Sequence, residues 1–140
     1  MPVLEQVLEQ YPDKVKVVFK HYPLRSHQYA YKAATAVMAA HSQGKFWEFH
    51  DRLFENYNKL NDQKIDQIAG ELGLDPAALK QRQKSAEVQS IVRRDMQDAA
   101  SADVRGTPAV FINGRLLKRR SLSGFKQAIE AELKRLSEGQ

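Results

Sequence analysis

Apolar positions in "PVLEQVLEQ" fall at Val3, Leu4, Val7 and Leu8, one stripe at the 3.6-residue period of a helix. Pro2 suits a first helical turn, and Tyr11-Pro12-Asp13 stops the helix. The period then changes. "KVKVVFK", Lys14 to Lys20, is rich in β-branched residues and predicts a strand, ended by "HYPL". Ser26 is the candidate cap of the next helix, which carries Ala30, Ala33, Ala34, Val37 and Met38 at helical spacing. Small residues on that face predict close packing on a neighbour, and Gly44 ends it. "KFWEFHDRLFENY" aligns Phe46, Trp47, Phe49, His50, Leu53, Phe54 and Tyr57 in a broad aromatic stripe, expected to anchor a core. Asn61 or Asp62 caps a short helix with Ile65, Ile68, Ala69 and Leu72, closed by Gly73. Asp75-Pro76 starts another helix, and Ser85 restarts one bearing Val88, Ile91, Val92, Met96, Ala99 and Ala100. Ala109 to Ile112 is strand-like, Asn113-Gly114 is a tight hairpin turn, and Arg115 to Lys118 returns. Ser121 or Ser123 caps a last helix with Phe125, Ala128, Ile129, Leu133 and Leu136. The order predicts an α/β (α+β), helix-rich chain with a mixed sheet covered by helices.

Composition narrows this picture. At 140 residues the chain fits one domain, and 42% apolar residues suffice for a core. No run of 18 apolar residues occurs, so no membrane partner is expected. The start lacks a basic region followed by an apolar one, so no export signal is expected in this chain. Net charge is +5, yet 17 acidic residues are interspersed with 22 basic ones. Stacking aromatics and Arg/Gly-rich motifs are missing, and no nucleic-acid partner is expected. Cysteine is absent, which excludes a disulfide, a thiolate metal site and a thiol nucleophile.

Candidate chemistry is sparse. His21, His27, His41 and His50 form no His-x-x-x-His pair, and structural roles are expected for them rather than a metal site. Glu48, Asp51 and Glu55 share a helix but lack a partner nucleophile, so they read as a solvated face. "LLKRR", Leu116 to Arg120, reads as a charged strand end that guards an edge, with an anion-binding patch as the alternative. No catalytic residue, metal or cofactor is expected. "VRGTPAVFINGR" stands apart, because a proline at a strand entrance removes a ladder donor.

Taken in order, "YPDKVKVVFKHYPL", "GKFWEFHDRLFENY" and "VRGTPAVFINGR" resemble the corresponding segments of DsbA-like thioredoxin-fold proteins, a family of thiol–disulfide oxidoreductases. The resemblance covers nearly the whole chain. It implies a single domain over residues 1–140, an incomplete thioredoxin-like sheet with a helical insertion at about 26–103. It also implies a cis Thr107-Pro108 bond beside the redox dithiol. Gly106, Thr107 and Pro108 then become the candidate substrate-binding residues, with Thr107 backbone pairing to an extended peptide or protein substrate.

The departure from the family is equally specific. Its first strand and its Cys-x-x-Cys precede the helix that "MPVLEQVLEQ" resembles. The expectation is therefore an N-terminally truncated member, whether from an internal start or as a shortened paralogue. Thiol–disulfide exchange needs an attacking thiolate and a resolving thiol. No Ser, His or Met here replaces them, so redox inactivity is expected. The missing strand would leave unpaired inner edges, which predicts rearrangement or self-association, most simply a two-fold dimer. The rival readings are a non-redox peptide- or protein-binding module and a fragment completed by another polypeptide. The family usually works outside the cytoplasm; the compartment of this chain stays open.

Overall fold

The computed structural model describes residues 1–139. Seven α-helices, one short 3-10 turn and one antiparallel hairpin make up the regular structure of those residues. The chain divides into two compact units, residues 20–103 and a second one formed by residues 1–19 with residues from 104 onward.

The contiguous unit is all helical. It holds α2 (Ala30–His41), α3 (Phe46–Glu55), a 3-10 turn at Tyr57–Lys59, α4 (Asp62–Glu71), α5 (Pro76–Gln83) and α6 (Ala86–Ser101). Its core joins Ala33, Ala36, Val37, Ala39 and Ala40 of α2 to Phe49 and Leu53 of α3, Ile65, Ile68 and Ala69 of α4, and Leu79 of α5. Alanine on the buried face lets the helices around α2 approach closely, as its spacing predicts. Three starts are capped by side chains. Asn61 accepts from Lys64 N–H at 2.7 Å, Asp75 from Ala77 and Ala78 N–H, and Ser85 from Val88 N–H. Gly44 and Gly73 stand at φ of +71° and +72° just past α2 and α4, a conformation glycine adopts without a Cβ penalty.

The discontinuous unit pairs α1 (Pro2–Gln10) with α7 (Leu122–Glu138) and adds β1 (Phe111–Ile112) and β2 (Arg115–Leu116). Val7, Phe125 and Ile129 are buried at its centre, with Val15, Val110, Ile112 and Leu117 packed on them. Phe111 pairs with Leu116 and Ile112 with Arg115. Asn113 and Gly114 turn the hairpin at φ of +47° and +81°, the left-handed pair that this dipeptide predicts.

Four expectations need correction. Lys14–Lys20 forms no strand. Val15, Val17 and Phe19 are half-buried while Lys16, Val18 and Lys20 are exposed, so the in–out alternation of a strand survives. A strand also needs a neighbouring strand, and the two-stranded sheet of the described residues does not include this segment. For the same reason the expected mixed sheet is reduced to the hairpin, and its first strand covers only Phe111–Ile112 of the expected 109–112. Ser26 caps nothing. It lies in a run of turns, and α2 begins only at Ala30 after Tyr29, which makes no side-chain cap. Finally, only Phe49 and Leu53 of the α3 stripe are buried; Trp47, Phe54 and Tyr57 remain 49%, 60% and 75% exposed. Phe49 and Leu53 fill the core with Phe46 packed against it, while Trp47 and Phe54 each lie against the His50 ring at the surface.

Candidate functional site

Gly106, Thr107, Pro108 and Ala109 are all exposed, and they lead directly into β1. The Thr107–Pro108 peptide is cis. Beyond the two formal strand pairs, Leu117 N–H donates to the Val110 carbonyl at 2.8 Å, which continues the antiparallel register toward this segment. Past that bond Lys118, Arg119 and Arg120 leave the hairpin on the side of the Thr107–Ala109 segment. The Arg120 guanidinium donates to the Pro108 carbonyl oxygen, in keeping with that placement. The opposite edge of β1 carries no further strand among the described residues.

Two features of α7 hold this hairpin. At its start, Ser121 accepts from Gly124 N–H at 3.2 Å, and Gly124 lies so close to the incoming chain that a Cβ would sit 2.0 Å from the Arg119 carbonyl oxygen. Further along, Glu132 is buried to 7% exposure. It accepts from Arg135 Nε and Nη2 at 3.0 and 2.8 Å and from Asn113 Nδ2 at 3.3 Å. Arg115 Nε stands 3.7 Å from its other oxygen. The Arg135 hydrogen bond above all, with help from Asn113 and the charges of Arg135 and Arg115, holds the Glu132 carboxyl below its ordinary value against the opposing effect of burial. The hairpin turn is thus tied by a charged carboxylate whose Oε2 accepts three hydrogen bonds. Glu132 does not stand out from composition, whereas Arg120 belongs to the basic run Leu116 to Arg120 that reads as a charged strand end. The signal for Glu132 is its place on the apolar stripe of Phe125, Ile129 and Leu133.

The remaining candidates do not assemble into a reactive centre. His21 is buried in the helical unit, and its backbone N–H donates to Asp95 of α6 at 3.0 Å. Burial lowers the His21 pKa most, Asp95 opposes that, and His50 adds to it. His50 lies in the aromatic group of α3, with its ring centroid 4.6 Å from Phe54 and 5.5 Å from Trp47, and its Nδ1 is 3.0 Å from Asp51. His27 and His41 are exposed. Glu48, Asp51 and Glu55 face outward, with Glu55 3.7 Å from Arg52. Among the described residues no three His, Cys, Asp or Glu side chains converge as a metal site. No described helix is long and apolar enough to cross a membrane.

Several curated proteins are similar to this chain. A segment of the Na(+)/H(+) antiporter NhaA 1 of Mycolicibacterium vanbaalenii is 35% identical over 114 residues, which is 79% of this chain and 18% of that protein. The NhaA 3 antiporter of Salinispora tropica is 34% identical over 115 residues, 81% of this chain and 18% of its own length. The NhaA antiporter of Nitrosospira multiformis is 29% identical over 111 residues, covering 79% and 18%. The chain therefore spans less than a fifth of the curated relatives it matches. The family model described as DSBA-like thioredoxin domain matches residues 1–130, from the first helix into the last. With that match spanning both units and the Gly-Thr-Pro segment, the chain belongs to the DSBA-like thioredoxin domain family.

Proposed function

We propose that this chain is a redox-inactive DsbA-like domain that docks extended polypeptide at Gly106, Thr107 and Pro108. The observation that carries the reading is an exposed Gly-Thr-Pro segment at the mouth of β1, a strand with one edge free of any described partner. Such an edge offers backbone donors and acceptors in register with an incoming strand, and addition of a peptide strand satisfies both chains at once. Arg120 and the α7 contacts keep the segment in place before a partner arrives. Redox inactivity rests on chemistry: without a sulfur nucleophile there is nothing to attack a disulfide and nothing to resolve the mixed species. In this reading residues 1–140 act as one domain, and the helical stretch of about 26–103 is an insertion within it.

The test is an amide-resolved NMR titration with an unstructured peptide. Shifts concentrated at residues 106–110 are expected, and shifts elsewhere or none overturn the docking site. An insulin-reduction assay of the same sample is expected to stay at background; turnover above it overturns the inactive reading.

A second reading is self-association through unpaired edges. It is favoured by the edge of β1 opposite β2, which carries no further strand among the described residues, and by the alternation of burial along Val15–Phe19. Light scattering that returns a single monomeric mass across concentration overturns it.

A further inference from the structure

Positive charge is segregated in this molecule. From Val104 to Ile129 there are six cations, Arg105, Arg115, Lys118, Arg119, Arg120 and Lys126, and no aspartate or glutamate. The whole chain carries only +5, so the remainder is close to neutral. The hairpin register concentrates part of this charge. Lys118, Arg119 and Arg120 follow the Leu117–Val110 bond, Arg120 reaches Pro108, and these three cations and Thr107, Pro108 and Ala109 are all exposed. Arg120 is directed onto the Pro108 carbonyl, which orients its guanidinium without neutralising it. Lys118 and Arg119 form no ion pair among the described residues. Arg115 differs, because it faces buried Glu132.

We infer that the polypeptide taken at Gly106–Pro108 is acidic, an extended segment with Asp or Glu at alternate positions. The inference rests on the docking reading above and adds the partner's chemistry. Alternate side chains of an added strand fall on one face; β1 lies between that strand and the 118–120 segment, two strand spacings (~9.5 Å), a span that the long Lys and Arg side chains cross to meet carboxylates spaced i, i+2. Like-signed cations in the segment after β2 repel one another, and an anionic partner relieves that repulsion while steering encounter. A basic segment meets the same field with the opposite sign.

The experiment uses the full chain and three fluorescent peptides that share their apolar positions and carry Glu, Gln or Lys at the alternate ones, with a single-stranded oligonucleotide as a fourth probe. Affinity is read by polarisation at low and high salt. The Glu peptide is expected to bind about tenfold tighter than the Gln peptide at low salt, with the advantage shrinking as salt screens it. The double variant Lys118→Glu with Arg119→Glu is expected to reverse the order in favour of the Lys peptide. Lys118→Gln with Arg119→Gln is expected to level it, with circular dichroism verifying that each variant keeps its helices. Equal affinity for Glu and Gln peptides overturns the acidic preference while leaving docking intact, and means that the cations only guard the strand edge. Tighter capture of the oligonucleotide than of the Glu peptide overturns it in favour of nucleic acid. Binding of no probe removes the docking reading and this inference together.

Discussion

A methyl group at Gly124 has no room, because the Arg119 carbonyl oxygen already occupies its space at 2.0 Å. The oxygen is backbone and a Cβ is fixed on its Cα, so neither can swing aside. Gly124→Ala is expected to lower stability by about 2 kcal/mol, the scale of overpacking, read as a drop in the urea midpoint. The position shows no positive φ, and its need for glycine is a matter of approach rather than conformation. His21 gives a second prediction at this scale. Its pKa is lowered from 6.5 in the folded chain, chiefly by burial, so the unfolded chain binds its proton more readily. Its contribution is complete above about pH 6.5 and is lost as the pH falls from there toward the folded value. Urea midpoints at pH 7.5 and 5.5 (about one unit to either side of 6.5) are expected to differ more for the parent than for His21→Gln. Equal differences overturn the assignment to this side chain. Asp95 and Glu132 teach a common lesson. Each is an acid set on an apolar helical stripe, and each is buried while accepting hydrogen bonds from elsewhere in the chain. Their spacing was readable; their partners, 74 residues away for Asp95 and 19 for the Asn113 contact of Glu132, were not.

Local chemistry decided most helix boundaries. Asn61, Asp75, Ser85 and Ser121 cap the starts that their residue types predict, because a side-chain oxygen two or three residues before a free N–H needs no distant partner. Asp75→Ala removes an acceptor from two amides of α5 and is expected to cost about 1 kcal/mol, measured as a shift in denaturation midpoint. Ser26 shows the limit of this logic. It has the right chemistry but precedes a run of turns, so the chain does not enter a helix there. The stretch Lys14–Lys20 shows another limit. Its β-branched residues favour extended backbone, and packing of Val15 on the core keeps the alternation. A ladder, however, belongs to two segments, and propensity in one cannot supply the other.

The two units differ in how their cores are assembled. Residues 20–103 are contiguous and own a core drawn from α2, α3, α4 and α5. Expressed alone, this segment is expected to be helical by circular dichroism and to unfold cooperatively with urea, whereas a gradual, non-cooperative loss of signal overturns its independence. The other unit needs both ends of the sequence, since Val7 is buried with Phe125 and Ile129 across more than a hundred residues. Such a core forms only when the chain returns, and no periodicity announces which stripe it meets. By itself the sequence determined the helix order, the caps of α4, α5, α6 and α7, the hairpin turn and the absence of a thiol, because each depends on neighbours within a turn or on composition. Only the tertiary structure decided that the α3 aromatics stay half in solvent, that Glu132 ties down the hairpin, and that the cations at 118–120 flank Gly106–Pro108. Those outcomes depend on which distant surfaces meet, and that is set by packing and register rather than by any local preference.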